Sequence, residues 1–96
     1  MSEQQVAIVT GASRGIGRAI CKKLASKKIH IVLNYTTNED AAKETQRWCE
    51  LEGVRVVLVK ADVSKQEDCE YLIEQAKTIT GKIDILVNNA GISRDS

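Results

Sequence analysis

Four short apolar runs, VAIV (residues 6–9), IHIVL (29–33), VRVVLV (54–59) and IDILV (83–87), recur along the chain with helix-length stretches between them. Each is rich in β-branched residues and lacks a polar alternate face, as expected of a strand buried on both sides. Parallel neighbours cannot be joined by tight hairpins and need a crossover of about a dozen residues or more, which a helix supplies. The alternation therefore predicts an α/β fold with four parallel strands, three crossover helices and helices packed on the sheet. This is the N-terminal half of a doubly wound three-layer architecture, with strand order 3-2-1-4 and a switch point between strands 1 and 4.

The intervening stretches carry helix signals. In the first, Ile16, Ala19, Ile20 and Leu24 share one predicted stripe, with Lys22, Lys23, Lys27 and Lys28 outside it as a solvated face suited to a helix C-terminus. The second is predicted to start at an Asn38 N-cap and to end before Gly53, with Thr45, Trp48 and Cys49 on one face and Trp48 packed on the sheet. The third opens with Ser64 and Glu67 in capping-box spacing, places Cys69, Leu72, Ile73 and Ala76 on one stripe, and stops at Gly81.

At 96 residues the chain is one domain at most, and its net charge of +1 points neither to nucleic acid nor to an anionic membrane surface. The polar start MSEQQ leads into only a short apolar run, so neither a secretory signal nor a membrane span is expected, and the expected location is the cytoplasm. Three cysteines, Cys21, Cys49 and Cys69, have neither the pairing of a disulfide framework nor the spacing of a zinc site. They are read as small apolar residues on helices, with no metal implied.

The stretch TGASRGIG (10–17) joins strand 1 to the first helix, and NNAG (88–91) follows strand 4. Both therefore lie at the carboxyl ends of the two strands that flank the switch point, where ligands of such sheets bind. Gly11 allows a sharp turn off the strand, while Gly15 and Gly17 permit a pyrophosphate to approach the backbone and the helix to pack close to the sheet. The spacing G-x-x-x-G-x-G differs from the commonest dinucleotide fingerprint, and the loop lacks the G-K-[ST] of an ATP-binding P-loop.

Taken together, TGASRGIG, ADVS (61–64) and IDILVNNAG (83–91) resemble the short-chain dehydrogenase/reductase family, in order and at sensible spacing over nearly the whole chain. The continuation NNAGISRDS is similar to that family's 3-oxoacyl-[acyl-carrier-protein] reductases. The resemblance implies a Rossmann-type dinucleotide-binding portion over residues 1–96. It implies that Gly11, Ala12, Ser13, Arg14, Gly15, Ile16 and Gly17 bind the dinucleotide phosphates and that Asp62 and Val63 contact the adenine. Asn88, Ala90 and Gly91 would run along the cofactor, with Asn89 bracing the sheet. Read singly, Asp62 is a plain loop acid, Val63 a buried spacer and the asparagines turn formers.

Enzymes that use NAD commonly place an acid at the end of strand 2, where it binds the ribose hydroxyls and repels a 2′-phosphate. Here the aligned position is Tyr35, followed by Thr36, and Arg14 stands in the phosphate loop; Glu39 and Asp40 fall on the next helix. An arginine without a nearby carboxylate suits a phosphate dianion, so the expected cofactor is NADP(H).

In this family a serine, a Tyr-x-x-x-Lys pair and a helix asparagine carry the chemistry beyond strand 4. Tyr35 is followed four positions on by Glu39 and Tyr71 by Gln75, so neither tyrosine makes the pair. The chain is thus expected to be the cofactor-binding portion of a longer NADPH-dependent carbonyl reductase. The resemblance implies a small-molecule or carrier-protein-bound acyl substrate, a 3-oxoacyl thioester reduced in fatty acid synthesis, and a homotetramer. The alternative is a free-standing dinucleotide-binding or interaction module without catalysis; a methyltransferase-like site would want an acid at the end of strand 2.

Overall fold

The β-branched runs do become parallel strands. A computed structural model describes residues 4–13 and 15–89, in which β1 (Val6–Val9), β2 (His30–Tyr35), β3 (Val56–Lys60) and β4 (Ile85–Val87) alternate with α1 (Gly15–Ser26), α2 (Glu39–Glu50) and α3 (Gln66–Thr80). The four strands form one parallel sheet in the order β3-β2-β1-β4, as the alternation predicts. Every residue of β1 and β2 is buried, as befits central strands covered on both faces.

The strands divide their side chains between two cores. Val9, Ile31, Leu33, Tyr35 and Val56 face Cys21 and Ala25 of α1 and Ala42 and Cys49 of α2. On the opposite side Val6, Ile8, Val32 and Val59 meet Leu72, Ala76 and Ile79 of α3. Three layers result. Register then sets the site: Val9 lies beside Leu33 on one flank and beside Val87 on the other, so the chains leaving β1, β2 and β4 emerge together.

The helices depart from expectation in instructive ways. On α1 the buried positions are Gly17, Cys21 and Ala25, whereas Ile16 is 63% exposed. The stripe is turned because the helix approaches the sheet too closely for large residues along its line of contact. On α2, Asn38 caps as expected, its side chain accepting from the Ala41 N–H at 3.0 Å, and Thr45 and Cys49 are buried. Trp48, however, is 49% exposed; it receives the Lys22 ammonium at 4.5 Å from its ring centroid rather than packing on the sheet. The capping box of α3 does not form. Lys65 occupies the N-cap with no side-chain cap bond, because the Ser64 hydroxyl donates instead to Asp62 Oδ1 at 2.6 Å. Ile73 is exposed while Leu72, Ala76 and Ile79 face the core, and Gly81 closes α3 at φ +84°.

Cys21 and Cys49 are buried and Cys69 is half-buried, all as free thiols. Burial raises the pKa of Cys21, aided by the neighbouring Cys49, and pushes Cys49 up to about 11, so both behave as core residues. Among the described residues no helix is long and apolar enough to cross a membrane.

Candidate dinucleotide-binding site

The turn off β1 is fixed from three sides. Gly11 takes φ +59°, a conformation open to glycine, and its N–H donates to Asn34 Oδ1 at 3.1 Å. The next amide, Ala12, donates to the Asn34 carbonyl at 2.9 Å, and the Gly11 carbonyl accepts from Asn89 Nδ2 at 2.9 Å. Thr10 reaches across to β4, its N–H donating to the Val87 carbonyl at 3.0 Å and its hydroxyl lying 3.3 Å from both that carbonyl and Asn88 Oδ1. The loop after β1 and the segment after β4 are thus one hydrogen-bonded unit at the switch point.

Gly17 explains how α1 reaches this unit. A Cβ there would stand 2.5 Å from the Gly11 carbonyl oxygen, 2.7 Å from Ala12 Cα and 2.9 Å from Asn89 Nδ2, so only glycine lets the helix start directly above the turn. Gly15 differs: it has φ +65° and a Cβ would meet nothing within 4 Å. Its role is backbone conformation beside open space, which a side chain would otherwise occupy. The first turn of α1 also carries no acid, whereas those of α2 and α3 carry Glu39 and Asp40, and Glu67 and Asp68. Amides at a helix start, a bare glycine surface and no opposing carboxylate in that turn fit the diphosphate of a dinucleotide.

The remaining expected residues lie at the adjoining strand ends. Tyr35 closes β2 with 7% exposure, its ring in the core under α1 and α2 and its pKa raised chiefly by burial, while Thr36 is exposed. Beyond β3 the Asp62 N–H donates to Asp68 Oδ2 at 2.7 Å, and its carboxylate accepts from the Ser64 amide and hydroxyl. Those two bonds hold the carboxyl below the usual carboxylate range. Val63 packs against the α3 cluster and its carbonyl accepts from the Cys69 thiol at 3.1 Å. Gly11, Ala12, Ser13, Gly15, Ile16, Gly17, Tyr35, Thr36, Asp62, Val63 and Asn88 therefore gather along the carboxyl edge of the sheet. Arg14, Ala90 and Gly91 lie outside the described residues. Asn89 braces the turn as expected, and its buried Oδ1 has no hydrogen-bond partner among the described residues.

Sequence reasoning missed three residues here. Asn34 is 1% exposed and holds, besides Gly11, the Val59 carbonyl at 3.2 Å and the Ala61 carbonyl at 3.0 Å through Nδ2. It joins the phosphate turn to the end of β3, directly before Asp62. Its signal was a polar residue directly after the apolar run IVL of β2. Arg18 and Thr45 meet between α1 and α2, with Arg18 Nε donating to Thr45 Oγ1 at 2.7 Å, and no local pattern announces a pair 27 positions apart.

The model of the short chain dehydrogenase family matches residues 5–96. The chain belongs to that family. Family members are oxidoreductases that bind a nicotinamide dinucleotide, in agreement with the site's architecture. Among relatives, glucose 1-dehydrogenase 2 of Bacillus subtilis is 39% identical over 89 residues, covering 93% of this chain and 34% of that enzyme. A 3-oxoacyl-[acyl-carrier-protein] reductase of Staphylococcus epidermidis is 38% identical over 90 residues, covering 94% of this chain and 37% of the reductase. A solved short-chain dehydrogenase/reductase variant from Serratia marcescens superposes with TM-score 0.84 at 38% identity, over 88% of this chain and 35% of that one. The chain thus spans about a third of the length of the relatives it matches.

Proposed function

We propose that residues 1–96 form the cofactor-binding portion of an NADP(H)-dependent carbonyl reductase whose substrate is a 3-oxoacyl thioester. The observation that carries the cofactor choice is the end of β2, where the buried Tyr35 and exposed Thr36 stand in place of a ribose-binding acid. Arg14, in the phosphate-loop stretch TGASRGIG, would supply a planar cation for a 2′-phosphate. In this reading the α1 amides and the bare Gly15 surface receive the diphosphate, Asp62 and Val63 border the adenine, and Asn88, Ala90 and Gly91 follow the cofactor toward the nicotinamide. When bound, that group supplies the hydride. In this reading these 96 residues bind and orient it; neither of their tyrosines stands four positions before a lysine, so the family's Tyr-x-x-x-Lys pair would be supplied by a further part of the same polypeptide.

The 3-oxoacyl substrate rests on the likeness of NNAGISRDS and on the Staphylococcus relative, while the Bacillus relative of equal similarity acts by its name on glucose. A homotetramer in the cytoplasm is the assembly and location proposed with it. The experiment is a paired one on the complete protein. Arg14→Ala is expected to weaken NADPH binding by about 1.5–3 kcal/mol, the range of a charge-assisted hydrogen bond, and to leave NADH binding unchanged. Equal losses for both would refute the 2′-phosphate assignment. Turnover of a 3-oxoacyl thioester in preference to glucose would support the substrate, and the reverse preference would replace it.

A further inference from the structure

Arg18 of α1 and Thr45 of α2 each donate a hydrogen bond to one atom of the phosphate loop. The Ser13 carbonyl accepts from Arg18 Nη2 at 3.1 Å and from Thr45 Oγ1 at 2.8 Å. Arg18 Nη2 also donates to the Ala41 carbonyl at 3.1 Å and lies 3.4 Å from Glu44 Oε1, while Nε donates to Thr45 Oγ1. The donors and acceptors balance. Thr45 accepts the Arg18 Nε proton and passes its own single proton to Ser13, the shorter of its two carbonyl contacts, the other being Ala41 at 3.2 Å. Thr45 is fully buried, so its end of this chain is shielded from water, while the Arg18 side chain stays a quarter exposed.

We propose that Arg18 and Thr45 are positioning residues for the dinucleotide diphosphate, locking the loop between Gly11 and Gly15 onto α2 before the ligand arrives. Three observations lead there. The loop is bounded by two residues at positive φ, Gly11 and Gly15, and a glycine-rich segment is costly to order unless it is tied elsewhere. Two of the cluster's bonds fall on Ser13, in that loop, in addition to those that tie Arg18 to Ala41 and Thr45 of α2. Arg18 also stands near the start of α1, where a cation opposes the helix dipole; that placement favours a site reserved for an anion. Because α2 begins just after Tyr35 and Thr36, the same clamp holds the phosphate loop and the ribose end in a fixed relation. Preorganisation of this kind raises affinity by lowering the ordering cost at binding.

The inference rests on the dinucleotide reading, and the test separates the two. ADP-ribose, which lacks both nicotinamide and 2′-phosphate, is titrated against the complete protein by calorimetry, with thermal unfolding followed in parallel. Thr45→Val, which keeps shape but loses the hydroxyl, is expected to bind ADP-ribose about tenfold more weakly, as expected when a tie worth one to two hydrogen bonds is lost. Thr45→Ser, which restores the hydroxyl, recovers most of that affinity. Arg18→Met, at a partly exposed position where a bulky substitution is accommodated, gives a loss of the same order if Thr45→Val does not fold. Variants with a lowered melting temperature but wild-type affinity for ADP-ribose would overturn the proposal, since the cluster would then serve stability alone. A wild-type protein that fails to bind ADP-ribose would overturn the dinucleotide reading, and this proposal with it.

Discussion

Single residues at the switch point do work that composition cannot show. Gly17 has backbone atoms within 2.7 Å of where a Cβ would sit, so Gly17→Ala is expected to cost about 1–3 kcal/mol, as overpacking does, and to weaken dinucleotide binding by displacing Gly11. Urea unfolding and a binding titration would check both; unchanged stability would mean that α1 can retreat without cost. Asn34 carries more. Asn34→Leu would leave the Gly11 amide and the Val59 and Ala61 carbonyls without its side chain, and since one unsatisfied buried group costs about 1–3 kcal/mol, a loss of at least ~3 kcal/mol is expected in the same assay. The glycines were legible because each spacing encodes a local backbone shape. Asn34 was not, because its partners stand 23 to 27 residues away and only the sheet register brings them together.

At the scale of elements, what could be read were features internal to one segment: the strands, the Asn38 cap, and the glycines after α2 and α3. What could not be read was competition between segments. Ser64 had the spacing of a cap, yet Asp62 claims its hydroxyl and Lys65 takes the N-cap at φ −107° and ψ 133°. Lys65→Ser is accordingly expected to stabilise the fold by about 1 kcal/mol, the usual gain from a cap, read as a shift in the urea midpoint. A second element-scale device joins β1, β2 and β3 at their other ends. His30 Nδ1 accepts from the Arg55 amide at 2.9 Å, and Nε2 pairs with Gln4 Oε1, so the ring is bonded in its neutral form. Burial, and secondarily Arg55, lower its pKa in the folded state. The unfolded chain therefore binds the proton more readily. Stability from this group is fully present above the unfolded value of about 6.5 and is lost as pH falls below it. As the chain holds a single histidine, His30→Gln should flatten the pH dependence of unfolding between about pH 5 and pH 7.

For the whole molecule the decisive surface is the β4 edge. β4 ends the described sheet, pairs with β1 on its inner side, and shows Leu86 at 62% exposure. Relatives of which this chain spans 34–37% have further chain available to cover such an edge, whereas a polypeptide of residues 1–96 has only copies of itself. An apolar strand with unpaired amides and carbonyls is a template for pairing, so the isolated 96-residue polypeptide is expected to self-associate in a concentration-dependent way. Leu86→Lys should reduce that association, because a charged side chain on an edge strand opposes stacking against a second copy. ADP-ribose should still raise the polypeptide's melting temperature, by an amount set by RT ln(1 + [L]/Kd), since the phosphate turn, Asn34 and the Arg18–Thr45 clamp are all within it. NADPH oxidation with a 3-oxoacyl thioester should not be detectable, because no tyrosine here has a lysine four positions on. Size-exclusion chromatography with light scattering, thermal unfolding with and without ADP-ribose, and absorbance at the reduced nicotinamide band together test this separation of binding from chemistry. A monodisperse monomer that turns over substrate would show that the chemistry, proton donor included, lies within these 96 residues.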